Sequence, residues 1–287
     1  MEVERKAEDR ENGGDSPGAE RRGDDRRGDD RRGIQSIEVG GTLLQALVRA
    51  GGPMMLKDLA REAGMPPAKA HPYLVSFGKL GLVDQDPVTG RYGLGPFALH
   101  MGLTALHELD PIKAATPEIA HLADELDLNI AIAVWGNHGP TMVRIEECSK
   151  QIHVNLRPGT VMTPLLLSAT GRVFAAFMPD RVTRPILDEE LARYATNPQP
   201  ALRLSRRHVD EVLAEVRQHG LSRVVGTPIP GINAFSAPVF DSTGALALAI
   251  TAMGPANACD PDWDGPTARK VSACAERVSE RLGRYRA

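Results

Sequence analysis

Three short stretches of helical apolar spacing follow one another between Ile34 and Gly95, each closed by glycine, and two brief strand-like runs flank a turn after them. Few architectures accept that order in so few residues. Ile37, Leu44, Leu47 and Val48 share a helical face before Ala50-Gly51-Gly52-Pro53. Leu56, Leu59, Ala60 and Ala63 repeat the pattern up to Gly64, and Ala70, Tyr73, Leu74 and Phe77 repeat it before Gly81. Leu82-Val83-Asp84 and Arg91-Tyr92-Gly93-Leu94 then bracket Asp86-Pro87-Val88-Thr89-Gly90, whose residue types suit a tight turn. Three helices and a hairpin outline a winged helix-turn-helix over residues 34–95. The third helix of such a unit enters the major groove. Its outer face would carry Lys79, flanked by Lys69, His71 and Ser76; the basic groups suit phosphates, and His71 or Ser76 can reach base edges. Arg91, just past the turn that holds Thr89, offers a fork of donors suited to phosphate or a narrow minor groove. A plain three-helix bundle satisfies the same spacing, because residues 34–95 hold only 6 basic against 5 acidic groups.

Residues 1–33 carry 9 basic and 11 acidic side chains and almost no large apolar ones. Such a segment cannot offset the entropy of ordering, so a disordered charged tail is expected. Each Arg pair of its repeat is followed by Asp24-Asp25, by Asp29-Asp30 or by the tail's end, the pattern of a self-screened solvated tail rather than of a DNA-scanning arm. Past the hairpin, Phe97, Leu99, Met101, Leu103, Leu106 and Leu109 cover most of the circumference of a helix. A linker helix over 96–110 that is apolar nearly all round needs a cover, and a second subunit supplies one in a two-fold dimer.

Residues 111–287 alternate. Helices are expected at 112–126, from near Gly171, at 207–219 and at about 263–282. Strands are expected at 129–135, 141–147, 153–156, 234–240 and 245–253, the last two joined by Asp241-Ser242-Thr243-Gly244. This is an α+β domain on an antiparallel sheet. One face covered by helices would leave a cavity opposite, closed by the loop at 158–164. That loop leads into Ser168-Ala169-Thr170-Gly171 at a helix start, where free N–H groups and hydroxyls suit a carboxylate. A simple N-cap uses the same residues.

Nothing catalytic emerges. G-x-S-x-G, H-E-x-x-H, P-loop and G-x-G-x-x-G patterns are absent, and the eight histidines are scattered. Cys148, Cys259 and Cys274 are odd in number and lack metal-type spacing. The expectation is no catalytic residue, no metal and no cofactor. The longest apolar stretch, 245–253, is too short to cross a bilayer, and the amino terminus reads as no signal segment, so a cytoplasmic protein away from membranes is expected.

Several runs occur in a characteristic order: Gly33-Ile34-Gln35-Ser36-Ile37, the stretch 59–66, Lys69-Ala70-His71, the stretch 81–95, then Gly159, Ala169-Thr170-Gly171, Pro230-Gly231, the stretch 237–241 and Gly254-Pro255. Together they resemble the IclR family of bacterial transcription regulators over about 250 of the 287 residues. The resemblance implies an α+β chain with an N-terminal winged helix-turn-helix, a linker helix and a C-terminal GAF-like effector-binding domain over 111–287. It implies a double-stranded DNA operator as partner, self-association as a homodimer or a tetramer, and a small organic or aromatic acid as effector. Lys69 and His71 match the region where family members touch DNA. Gly159, Thr160, Thr170 and Gly171, with Thr251 and Met253, match the region where they bind effectors.

The chain departs from the family at three places. Pro72 stands inside the recognition helix, so that either the helix kinks or Pro72 opens it after a longer turn. The segment 159–171 is one residue longer than usual, which shifts Met162. Thr227 replaces an acidic residue, making the pocket less polar and friendlier to an anionic or aromatic ligand. The function that follows is a regulator whose operator affinity is set by a small carboxylic acid, controlling a catabolic operon. The alternatives are a DNA-binding protein whose second domain only dimerises, and a metabolic enzyme.

Overall fold

The computed structural model describes residues 33–148, 156–195 and 205–284. Except for Gly33 and Leu156, the tail expected at 1–33 and the strand expected at 153–156 lie outside the described residues. The chain divides into two compact units between Phe97 and Ala98.

In the first unit, helices α1 (Gln35–Ala50), α2 (Leu56–Glu62) and α3 (Pro67–Lys79) precede strands β1 (Val83–Gln85) and β2 (Tyr92–Leu94). Leu43, Leu47, Leu59, Ala70 and Leu74 pack with Val83 and Tyr92 into one small core. Leu47 is buried as expected on the inner face of α1, whereas Ile37 and Val48 are exposed and Leu43 and Ala46 are buried in their place. Gly51 ends α1 in the left-handed conformation (φ 66°), which its missing Cβ permits. Strands β1 and β2 pair antiparallel with Val83 opposite Leu94. Met54 adds a bridge to Tyr92 through two 2.8 Å backbone bonds, a contact with no local sequence signal.

Helix α4 (Pro96–His107) follows and has no buried residue. Beyond it, Asp110 accepts hydrogen bonds from the N–H groups of Ile112 (2.9 Å) and Lys113 (3.1 Å), and Pro111 opens helix α5 (Pro111–Leu126). Strands β3 (Asn129–Gly136) and β4 (Gly139–Glu146) form a hairpin. A 3-10 turn, Leu165–Leu167, leads into α6 (Ala169–Phe177), followed by α7 (Asp180–Tyr194), α8 (Arg206–His219), β5 (Ser222–Val225), β6 (Ile232–Phe240), β7 (Leu246–Pro255) and α9 (Pro266–Arg281). The five strands lie in the order β4-β3-β7-β6-β5 with every neighbouring pair antiparallel. Helix α7 and strand β5 were not among the sequence expectations.

Because side chains alternate along a strand, the sheet serves two layers. Ile130, Ile132, Phe235, Val239 and Ile250 face Ile119 and Leu122 of α5 and Val271 and Val278 of α9. Ala131, Ala133, Ala249 and Met253 face Val173 and Phe174 of α6. Small residues on that second face let α6 approach closely, and the 3-10 turn with α7 and α8 forms a further cluster around Leu165, Leu187 and Val212. Helices therefore cover both faces. The expected open face is absent among the described residues, and any ligand space must be a gap within the second helical layer. No helix among the described residues is long and apolar enough to cross a membrane.

Candidate functional site

Helix α3 begins at Pro67, whose lack of an N–H costs nothing at the first helical position. It continues unbroken through Pro72, so Pro72 lies inside the helix and does not open it. The proline is exposed, and the carbonyl of Ala68 that loses its partner belongs to an exposed residue open to water. Lys69, His71, Ser76 and Lys79 are all exposed on this helix. The Ser76 hydroxyl donates to the Pro72 carbonyl at 3.0 Å, so part of its capacity is used within the helix.

In the wing, Asp86 accepts from Val88 N–H (2.8 Å) and Thr89 N–H (3.1 Å), and these bonds hold its carboxyl below the usual range. The Thr89 hydroxyl accepts from Arg91 N–H at 3.4 Å. Arg91 reaches back to donate to the Pro53 carbonyl at 3.3 Å, which fixes its stem beside the turn.

The second unit holds a cavity of about 90 Å³ between the amino end of α6, strands β4, β5, β6 and β7 and the segment at 227–229. Met142, Met162, Thr170, Thr227, Thr251 and Met253 line it, together with Leu156, Leu167, Val224, Ile229, Ile232 and Ala234, and no lining residue is charged. The sequence-predicted Met162, Thr170, Thr227, Thr251 and Met253 thus come together. Gly159, Thr160 and Gly171 do not reach the cavity. Gly159 N–H donates to the Met142 carbonyl (2.7 Å) and the Thr160 carbonyl accepts from Met142 N–H (2.9 Å), so both strap their segment to the free edge of β4. Gly171 is needed for closeness: a Cβ there would lie 2.2 Å from the Leu165 carbonyl oxygen. Met142, Val224 and Ala234 were missed because an apolar strand residue beside a cavity looks the same in sequence as one in a core.

Three contacts clamp the 3-10 turn at the cavity's edge. Ser168 caps α6 by accepting from Gly171 N–H at 2.9 Å. Arg172 donates from Nε to the Leu166 carbonyl (2.8 Å) and from Nη1 to the Arg223 carbonyl on β5 (2.7 Å), and burial lowers its pKa. Glu190 of α7, only 6% exposed, accepts Leu165 N–H on both carboxylate oxygens at 2.8 and 2.9 Å. Burial pushes Glu190 up to about 7, against the pull of the Leu165 bond and of Arg193. Its carboxylate borders a separate polar cavity of about 470 Å³ with Trp135, His138 and Arg193. Neither Arg172 nor Glu190 was a sequence candidate.

Comparison with known proteins bears on both units. A family model described as bacterial transcriptional regulator IclR C-terminal matches residues 103–280, more than half of the chain, and the IclR helix-turn-helix domain matches 36–87. The chain belongs to the IclR family. It is 24% identical over 255 residues to the transcriptional repressor IclR of Escherichia coli K12, covering 88% of this chain and 92% of that one. It is 27% identical over 263 residues to the glycerol operon regulatory protein of Streptomyces griseus, covering 87% and 97%. Among solved structures, Pseudomonas aeruginosa HmgR is 37% identical with a TM-score of 0.79, over 88% of this chain and 100% of that one. An IclR homolog of Microbacterium hydrocarbonoxydans, solved in complex with 4-hydroxybenzoate, shares the fold at 17% identity and a TM-score of 0.52, over 86% and 98%.

An IclR-family chain is a DNA-binding transcription regulator and not an enzyme. Burial pushes the Cys259 and Cys274 thiols up to about 11, which keeps them protonated at neutral pH.

Proposed function

We propose that this regulator binds its operator as a homodimer, that a small carboxylic acid with an apolar body sets its affinity for DNA, and that the operon it controls is catabolic. The carrying observation is the uncharged cavity at the amino end of α6. Its walls suit a hydrocarbon body, and its three methionines, Met142, Met162 and Met253, adapt to ligand shape. Apart from Gly171, whose N–H is taken by Ser168, the first-turn N–H groups of α6 lack intrahelical acceptors and lie at its positive end, which suits a carboxylate. A fold neighbour solved with 4-hydroxybenzoate supports an aromatic acid as the first ligand to try. The name of the Streptomyces griseus relative, a glycerol operon regulator, supports a catabolic setting.

Binding DNA through Lys69, His71, Ser76, Lys79, Thr89 and Arg91 follows from the exposure of α3 and the wing. The homodimer follows from α4, where Leu99, Leu103 and Leu106 are 64%, 56% and 55% exposed. Apolar surface of that extent on one helix calls for a cover.

The test combines thermal melting with a panel of aromatic and aliphatic acids and a gel shift on the DNA upstream of the protein's own gene. At a hundredfold excess over Kd a true effector stabilises by about 2.7 kcal/mol, a rise of a few degrees, and changes the mobility shift. A panel in which no acid raises the melting temperature defeats the effector reading and favours a second domain that only dimerises.

A further inference from the structure

The sheet beneath that cavity carries a row of hydroxyls. Ser222, Ser236 and Thr251 stand directly opposite one another on β5, β6 and β7, so all three project from the face that meets α6. Thr170 reaches the row from α6. None of the four is more than 2% exposed. Thr251 Oγ1 donates to Ser236 Oγ at 2.9 Å and shares a 2.8 Å bond with Thr170 Oγ1.

A hydroxyl has one proton to give. Thr251 gives its proton to Ser236, so Thr170 must be the donor in the bond it shares with Thr251. Thr170 Oγ1 is then left with lone pairs and no proton, at the wall of the cavity. The row ends on Ser222, whose fully buried Oγ has no hydrogen-bond partner among the described residues. Valine or alanine would fit such apolar surroundings better, and a buried hydroxyl left unsatisfied is costly. The row is a polar unit that lacks a donor at its cavity end.

We propose that the Thr170–Thr251–Ser236 chain accepts a hydroxyl proton from the effector, so that the cavity selects hydroxylated acids over the same acid without the hydroxyl. This rests on the reading of the cavity as an acid-effector site. A carboxylate or a ring carbonyl has no proton for Thr170 and is repelled at this end. The hydroxyl of the ligand, and not its acid group, therefore meets Thr170 Oγ1.

Calorimetric titration of the full-length protein with benzoate, 3-hydroxybenzoate and 4-hydroxybenzoate tests this. One hydroxy acid is expected to bind about tenfold tighter than benzoate, the worth of one good neutral hydrogen bond. T251V takes away the acceptor of the Thr170 proton, so Thr170 can donate to the cavity, and the ratio of hydroxy-acid to benzoate affinity is expected to fall toward one. S236A, a milder change that keeps the fold if T251V does not, frees the Thr251 proton for Thr170. Thr170 then donates to the cavity, and preference passes to the corresponding formylbenzoate, which only accepts. If the native protein binds benzoate as tightly as either hydroxy acid, or both variants keep the native preference, the inference is overturned and the acid-effector reading stands. Binding of none of the three acids overturns the inference, and the failure of the wider panel of aromatic and aliphatic acids as well overturns the acid-effector reading.

Discussion

Glu190 carries a pH dependence that belongs to one side chain. Its carboxyl has a value of 4.5 in the ordinary state and about 7 in the fold, because α7 and the 3-10 turn exclude water from it. A carboxyl raised on folding favours the fold while it is protonated. Its contribution is fully present below about pH 4.5 and is lost as pH rises through 7. A shift of that size corresponds to about 3 kcal/mol in a dry site, and solvent reaching the carboxylate through the polar cavity reduces it to about 1–2 kcal/mol. Glu190→Gln keeps an acceptor for Leu165 N–H and carries no charge. Melting curves at pH 5 and pH 8 should show the variant more stable than the native protein at pH 8 and without that advantage at pH 5; parallel behaviour at both values refutes the account. No sequence pattern marks Glu190, since a charged residue three positions past Leu187 reads as an exposed helix flank. Thr170, Thr251 and Met253 were legible through the family resemblance, because the positions match even where the residue types say little.

Helix α3 is the element on which the proposed DNA recognition turns. Its stripe of Ala70, Tyr73, Leu74 and Phe77 was readable because each apolar group returns to one face every three or four residues. Pro72 could not be placed from sequence: a proline breaks a helix only if the lost bond cannot be replaced, and here the orphaned carbonyl belongs to Ala68, an exposed residue. Helix α7 escaped for the opposite reason. It buries only Thr183, Leu187 and Glu190 and has Pro185 inside it, so no apolar stripe announces it. Strand β5 has four residues and begins with Ser222-Arg223, too short and too polar for a periodic signal. At this scale the expectation concerns Lys69, exposed in the first turn of α3. If it meets a phosphate, Lys69→Ala weakens operator binding about equally across sequences and lowers the slope of log affinity against log salt by about one. Gel shifts over a range of salt concentration measure that slope, and an unchanged slope removes Lys69 from the contact set.

The proposed dimer makes its own prediction at the scale of the molecule. Leu99 and Leu103 would each gain about 2 kcal/mol when covered. Their joint replacement by lysine should turn a species that sediments as a dimer at micromolar concentration into a monomer with most of its operator affinity gone. A native protein that sediments as a monomer refutes the dimer directly. An effector acts on such an assembly only through its unequal affinity for alternative poses of the two subunits, typically about 1–3 kcal/mol. The clamped 3-10 turn bears on how that difference could be tuned. Leu165 is gripped at its amide by Glu190, its oxygen leaves no room for a side chain at position 171, and Arg172 pins the next carbonyl, whereas the rim at Thr227 and Ile229 belongs to no helix or strand. The proposed effector cavity thus has one bank held by side-chain clamps and one bank formed by a turn. New ligand tastes, whether drifted into or engineered, should accumulate along the second.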